Sequence, residues 1–399
     1  MSNTSKARPI RDGVDWVGAM DPDRRLFDAL IPLPEGTSYN AYLIRASPKT
    51  ALIDAVDPPF VPVLLGRLAG LGLKRLDYLI VNHCEQDHSG AIPSVLEAYP
   101  EVEIYTTPKA KGMLCDLLPV AAERIRTVED GATLSLGDRT LEFIHAPWVH
   151  WPETMLTYLR EEQILFPCDL FGSHLASHDL FASDEPRVLA VAKRYYAEIM
   201  MPFRHQIQRH LEKIQQYPIS LIAPSHGPLY ARPSLILEAY RRWVQDQPEN
   251  LVVVAYVSMH GSTERMVECL VEALLLHQVP VEVFNLAEVD IGKLAMALVD
   301  AATLVIACPQ VLAGAHPQAI YAAALANVLR PKLKYAAIIG SFGWGGKMVE
   351  QLTGLISNLR VELLPTVLAR GLPRPETFQA LQGLAGDIAA RHQALVASP

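Results

Sequence analysis

Residues 83–88, HCEQDH, pack two histidines, two carboxylates and a cysteine into six positions, directly after the nearly all-apolar segment LDYLIVN. A short apolar run of that kind reads as a buried strand. A loop leaving such a strand is rigid enough to hold a polar cluster in one arrangement. His83, Glu85 and Asp87 alternate, so in an extended segment their side chains leave on one side. Asp87 and His88 are consecutive and diverge, which allows service to a second ion. The plainer reading is a polar surface turn before a capped helix, but five potential ligands in six residues are too dense for it.

The first part of the chain alternates short strands with helices. TSYNAYLI and TALIDA flank a polar RASPK turn and read as a hairpin. Helical patterning covers about 60 to 72 and about 187 to 215, and strand–turn–strand patterns recur at TLSLGDRTLEFIHA and MLTYLREEQILFPCD. ISLIAP is a further buried strand leading into SHG. This mixture predicts sheets covered by helices, with functional loops at strand ends.

At 399 residues the chain is too long for one ordinary core. RRWVQDQPEN, polar and proline-containing, reads as a linker that separates domains 1–248 and 249–399. From 251 the order is strand LVVVAYV, a helix from about 262, strand VPVEVFN, strand TLVIACP and a helix from about 316. Strand YAAIIGS, a helix from about 346, strand VELLPTV and a closing helix follow. Repeated βαβ units predict a parallel doubly wound sheet, and five strands in about 149 residues fit the flavodoxin-like order.

Composition narrows the function classes. No stretch approaches the roughly 18 apolar residues of a membrane span, and the start, MSNTSKARPIRDG, lacks the apolar core of a secretory signal. Cys84, Cys115, Cys168, Cys269 and Cys308 are odd in number and scattered, which predicts reduced thiols and a cytoplasmic location. Without a CxxC, zinc ribbons and rubredoxin-type iron sites are excluded. The net charge of −8 is dispersed and forms no basic stripe, so nucleic acid is not an expected partner.

The HCEQDH segment resembles the HxHxDH metal motif of the metallo-β-lactamase fold, with Glu85 in place of the second histidine. WVHWPETM, ILFPCDLFGSH and LIAPSHGPLY offer His150, Asp169 and His226 in the order that superfamily uses. With these neighbours and its flavodoxin-like half, the chain resembles class A flavodiiron proteins over essentially its whole length. The resemblance implies an N-terminal metallo-β-lactamase-like αββα sandwich followed by a flavodoxin-like doubly wound sheet. It implies one metal held by His83, Glu85 and His150, a second by Asp87, His88 and His226, and Asp169 bridging them. The donor chemistry agrees with iron. Zinc hydrolases favour nitrogen-rich sites, whereas an added carboxylate is a hard anionic donor suited to the ferric state. Three carboxylates beside two ferrous ions leave about one positive charge, which a hydroxide bridge neutralises.

His145 competes with His150 on spacing alone. It lies in the apolar strand LEFIHA and reads as a hydrogen-bonded core histidine, and the HWP context selects His150 through the resemblance. Cys84 and Cys168 sit beside ligands, but alternation is expected to point them away as packing residues. His174 in FGSH and Tyr195 in RYYAEI match positions lining the substrate pocket in similar proteins, where a proton donor makes sense. His178, His205, His210, His260, His277, His316 and His392 receive no metal role.

LVVVAYVSMHGSTERMVECL places Ser258, His260, Gly261, Ser262 and Thr263 between a buried strand and an amphipathic helix. A hydroxyl-rich loop at a helix N-terminus presents N–H groups to a phosphate. Without GxGxxG, a mononucleotide is expected. IIGSFGWGGKM adds Ser341, Phe342, Gly343, Trp344 and Gly345, a loop able to approach a flat ring while Trp344 shields it. A P-loop is excluded, because Ser341 occupies its first glycine position and Met348 replaces its Ser/Thr. Similarity to flavodoxin implies FMN, with Cys308, Pro309, Gln310 and Val311 forming a middle loop that continues to Gly314. That loop departs from the family's usual threonine- and asparagine-rich form.

FMN accepts electrons in pairs and releases them singly. The expected function is therefore a terminal reductase passing electrons from FMN to a di-iron site that reduces dioxygen to water or nitric oxide to nitrous oxide. The ligand set is the same for either gas, so a primarily nitric oxide-reducing enzyme is the alternative. The resemblance implies a head-to-tail homodimer or a dimer of dimers. The lack of a rubredoxin domain, and of any extension after Pro399, implies a separate donor, a rubredoxin or a reduced deazaflavin coenzyme. Rival classes are a zinc hydrolase fused to a flavodoxin-like domain, opposed by Glu85, and an electron carrier with a vestigial metal site, opposed by the complete ligand set.

Overall fold

The structure, a computed structural model, describes residues 6–397. The chain forms two compact units. One runs to Tyr196 and resumes over Phe203–Val244, and the other comprises Ala197–Pro202 and continues from Gln245.

In the first unit a seven-stranded sheet runs in the order Arg8–Arg11, Val14–Trp16, Tyr42–Arg45, Thr50–Ile53, Tyr78–Ile80, Glu103–Thr106, Ile125–Thr127. A five-stranded sheet follows with Thr133–Ser135, Thr140–His145, Met155–Leu159, Ile164–Phe166 and Leu221–Ile222. Strand alternation sorts their side chains into two cores. Tyr42, Ile44 and Ile53 pack with Phe143, Met155 and Phe166 between the sheets. Leu43, Leu52 and Leu79 face the other way, onto Leu64, Ile92 and Leu114 of the helices Val61–Gly70, Ile92–Ala98 and Pro108–Leu117. Each fully buried side chain of this size contributes about 1.5–3 kcal/mol. This is the αββα arrangement expected from the sequence. The hairpin also holds, with Tyr42 opposite Ile53 and Arg45 opposite Thr50.

The linker starts later than the sequence suggests. The helix Pro233–Val244 carries RRWV to its end with Trp243 and Val244 buried, so the polar stretch begins only at Gln245. The helical stretches expected over about 187 to 215 are Glu185–Tyr195 and Arg204–Ile214, with a break between them formed by a π turn over Tyr196–Met200 and a 3-10 turn over Met201–Phe203. Pro202 lies in that break, where its missing N–H and fixed ring interrupt the helical ladder.

The second unit is a parallel sheet ordered Val281–Asn285, Val252–Tyr256, Thr303–Val311, Tyr335–Phe342, with Glu362–Leu363 and Val367–Arg370 both paired to the last long strand. Helices cover both faces. Leu298, Ala323 and Leu352 close one core, while Leu270, Leu274, Leu384 and Ile388 close the other. A helix the sequence reading lacked, Ile291–Leu298, supplies the crossover that parallel neighbours require. It has eight residues, and Asp290 caps it through the Gly292 N–H. Among the described residues no helix is long and apolar enough to cross a membrane.

Candidate metal centre and flavin loops

Seven side chains of the first unit converge at strand ends. His83 lies beyond Tyr78–Ile80, His150 beyond Thr140–His145, Asp169 beyond Ile164–Phe166 and His226 beyond Leu221–Ile222. Glu85 ends the extended segment and Gln86–Ser89 is a helical turn. Asp87 therefore departs from the one-sided alternation expected of it, and the turn rather than a strand separates it from Glu85. His83 and Asp169 are almost completely buried, as are His88 and His226.

The ligand atoms fall into two groups, each within 4.8 Å: His83, Glu85, His150 and Asp169 in one, Asp87, His88 and His226 in the other. In the first group Glu85 Oε2 lies 3.1 Å from His83 Nε2 and 3.2 Å from His150 Nε2. In the second, Asp87 Oδ2 lies 3.2 Å from His226 Nε2 and Asp87 Oδ1 3.4 Å from His88 Nε2. Asp169 turns one oxygen to each group: Oδ2 is 3.4 Å from His150 Nε2, and Oδ1 is 3.0 Å from His88 Nε2. Four imidazole Nε2 atoms and three carboxylates thus face one another across a space too small for side chains.

Both oxygens of Asp87, Asp169 Oδ1 and His88 Nε2 are buried without a hydrogen-bond partner. Buried polar atoms left this way are costly unless something else satisfies them. Burial opposes charging His83, but hydrogen bonds accepted by Glu153 and Glu85 outweigh it and push the ring up to about 10. Burial likewise opposes charge on His150 and His88, yet Asp169 with Glu85, and Asp87 with Asp169, raise them to about 10 and about 9. Burial would lift Glu85 and Asp169, but the histidines hold both below the ordinary carboxylate range. The pocket demands positive charge, and a pair of cations fits it.

His145 is half-buried and its Nε2 meets the Val128 carbonyl at 3.0 Å, away from the cluster. Cys84 is buried with its thiol toward the Ala110 carbonyl. Cys168 does not point away: at φ 50° it breaks the alternation, and its sulfur lies within 4.8 Å of ligand atoms on His88 and Asp169. The Ser225 hydroxyl meets that sulfur at 3.3 Å, and burial drives the thiol well above its ordinary value, so it stays protonated. The rings of His174 and Tyr195 lie 4.8 Å apart, and His174 lies 4.9 Å from His226. Burial and then His226 hold His174 well below the usual imidazole value, and burial raises Tyr195 well above the usual phenol value.

A supporting layer escaped the sequence reading. Glu153 is buried, and its Oε1 accepts from His83 Nδ1 at 2.7 Å and from the Cys84 N–H at 3.0 Å. The segment Thr37–Asn40 braces the other side. Thr37 Oγ1 meets His174 Nδ1 at 2.9 Å and the Ser38 carbonyl accepts from His226 Nδ1 at 2.6 Å. Asn40 Nδ2 donates to the carbonyls of Pro224 and Gly227, both at 2.8 Å, and its Oδ1 accepts from Trp16 Nε1. Glu153 was findable as a carboxylate three residues after His150. Ser38 and Asn40 carry no such signal, since their partners lie more than 180 positions away.

In the second unit the parallel register brings the ends of Val252–Tyr256, Thr303–Val311 and Tyr335–Phe342 together. Ser258 Oγ accepts from the N–H groups of Gly261 and Glu264, at 3.2 and 3.3 Å, at the start of the helix Ser262–Leu276. Gly261 takes φ +81° there, and a Cβ would meet nothing within 4 Å. Thr263 and Ser341 are buried and hydrogen-bonded to each other at 3.0 Å, so they tie the two loops together. The middle segment is not the loop expected. Cys308 to Val311 continue the strand, Cys308 and Pro309 are buried, and the chain turns at Leu312–Ala313 into Gly314–Ala315. Gln310 Nε2 donates to the Trp344 carbonyl. His260, Gly343 and Gly345 are exposed, Ser262 and Phe342 half-buried. Met259, Leu312 and Trp344 are 48%, 90% and 69% exposed at these strand ends, an apolar surface that a flat ring would cover. A cavity of about 190 Å³ lies between Gln310, Phe342, Gly345 and Leu368. A hydroxyl-capped helix start beside uncovered apolar side chains fits a flavin mononucleotide.

Comparison with known proteins follows the same division. A protein-family model described as ODP family beta lactamase matches residues 37–227. The nitric oxide reductase of Moorella thermoacetica is 36% identical over 393 residues, covering 96% of this chain and 98% of that protein. The solved rubredoxin oxygen:oxidoreductase of Desulfovibrio gigas superposes with a TM-score of 0.94 at 28% identity, over 98% of this chain and 100% of that one. The flavodiiron protein of Giardia intestinalis gives 0.89 at 27% identity, over 98% and 97%.

Proposed function

Because this chain belongs to the flavodiiron protein family, we propose that it is a terminal oxidoreductase carrying FMN and a di-iron centre, which reduces dioxygen to water or nitric oxide to nitrous oxide. Support comes above all from Asp169, whose two oxygens face separate His/carboxylate groups. His83, Glu85 and His150 would hold one iron, Asp87, His88 and His226 the other, and Asp169 would bridge. When bound, the iron pair supplies paired one-electron changes that either gas can accept.

The surrounding residues hold the site dry and furnish protons. His174 is kept neutral by burial. The Thr37 hydroxyl meets its Nδ1, and its Nε2 is a buried atom with no hydrogen-bond partner. Tyr195 remains a phenol. Both groups can exchange a proton with the pocket from an uncharged form, as a buried pocket consuming protons requires.

The exposed Leu26, Leu30 and Trp148 near this site, and Met259, Leu312 and Trp344 on the flavin loops, suit a head-to-tail homodimer or a dimer of dimers that covers both surfaces. Such pairing would bring one copy's flavin to the other's irons. Similarity to the rubredoxin oxygen:oxidoreductase of Desulfovibrio gigas supports rubredoxin as donor, with a reduced deazaflavin coenzyme as the competing one. Five unpaired cysteines support a reducing, cytoplasmic setting. A primarily nitric oxide-reducing role is favoured by the name of the Moorella relative. Anaerobic reduction followed by separate challenge with each gas tests both readings. Rapid flavin reoxidation with at least one gas is expected, and faster reoxidation by nitric oxide selects the second. No reoxidation by either gas refutes the proposal.

A further inference from the structure

The two halves of the metal centre differ in what stands behind their histidines. Behind His83 is a carboxylate. Glu153, 1% exposed, accepts from Nδ1 at 2.7 Å through the same oxygen that takes the Cys84 N–H. The Thr107 hydroxyl donates to the Glu153 backbone carbonyl at 2.9 Å, and Thr107 also caps the helix Pro108–Leu117, so the carboxylate is anchored from its main chain. Behind His226 stand only neutral groups, the Ser38 carbonyl at 2.6 Å and the Thr37 hydroxyl at 3.4 Å, and His88 Nδ1 has no hydrogen-bond partner. A carboxylate behind a ligating imidazole fixes the tautomer with Nε2 free, and makes the ring a stronger donor. Excluded from water, its charge is felt more strongly than it would be at the surface.

We infer that Glu153 is a positioning residue that makes the two irons inequivalent, steadying the ion held by His83, Glu85 and His150 in its ferric form relative to the ion held by Asp87, His88 and His226. The inference rests on the metal assignment proposed above. Each iron changes by one electron, exchanged with the flavin, and no atom is transferred. The ion backed by Glu153 is then the first of the pair to lose its electron and the last to regain it. The sequence alone hides this, because the two sets of direct ligands each contain two histidines and one carboxylate of their own.

The test is an anaerobic redox titration of iron- and FMN-loaded protein followed by paramagnetic resonance and Mössbauer spectroscopy, comparing wild type with Glu153→Gln. The wild type is expected to show two separate iron couples. In Glu153→Gln the lower one rises, by a tenfold or greater loss in the preference for ferric over ferrous iron, which is about 59 mV per tenfold for one electron. The upper couple and the FMN couples stay in place. Equal movement of both iron couples, or movement of neither with both irons retained, overturns the inference. Should Glu153→Gln bind iron poorly, the expected loss is confined to one ion, about tenfold to hundredfold in affinity, and Glu153→Asp restores it. Equal loss of both ions, or no recovery in Glu153→Asp, overturns it. Wild-type protein that never holds two irons would refute the metal assignment itself, which is a different result.

Discussion

The metal centre and the flavin loops are built from different parts of the residue. The metal centre is made of side chains, drawn from four segments, and most of its donors are buried. Its geometry depends on a layer behind it: Glu153 on one side, Ser38 and Asn40 on the other. The flavin loops are made largely of backbone, held by Ser258, by the Thr263–Ser341 pair and by Gln310, with large apolar side chains left in solvent. A site of converging side chains fails when one is lost. A site of backbone and surface should weaken by degrees.

Asp169→Ala should break the comparison most visibly. It removes the one carboxylate shared by both groups and leaves four imidazoles facing too little negative charge. Metal analysis should find the iron lost and flavin absorbance should find FMN retained, and retention of both irons would refute the bridging role. Asn40→Ala comes next. It strands the buried Trp16 N–H and the Gly227 carbonyl of the His226 loop, while the Pro224 carbonyl keeps the Tyr42 hydroxyl, at about 1–3 kcal/mol for each unsatisfied group. Thermal unfolding should drop for the first unit and leave the second unchanged, with iron reduced. Gly261→Val is expected to be milder. No neighbour blocks the new side chain, so the cost is the left-handed backbone at φ +81°, about 1–2 kcal/mol. FMN affinity should fall roughly tenfold with iron content unaltered.

The smallest effect sharpens the contrast through pH. His392 is buried in the second unit, with Nδ1 on Asn250 Oδ1 at 2.8 Å and Nε2 on Thr303 Oγ1 at 2.7 Å. Burial pushes its imidazole down to about 4 from an ordinary 6.5. The unfolded chain takes up a proton as pH falls through 6.5, and the folded chain refuses it until about 4. Stability of the second unit is therefore full above pH 6.5 and declines between there and 4. His392→Gln should flatten that part of the pH–stability curve. An unchanged slope would refute the assignment.

The same contrast explains what the sequence disclosed. The helix-covered sheets were legible because apolar alternation and βαβ order are local patterns. The metal ligands stand out as residue types that rarely cluster at strand ends. The helix Ile291–Leu298 was hidden because eight mostly apolar residues show neither period clearly. The strand end Cys308–Val311 is expected as a loop through the resemblance to flavodoxin, whereas Cys308 and Pro309 pair with Gly340 and Ser341, and Gln310 and Val311 with Ala315 and Gly314. Asn40 and Ser38 were invisible, since their importance exists only once residues about 185 positions later fold against them.

Iron and flavin content of the purified protein tests the central claim most directly. Two irons and one FMN per chain are the predicted result. Stoichiometric zinc without flavin, together with cleavage of an ester or lactam, would contradict it.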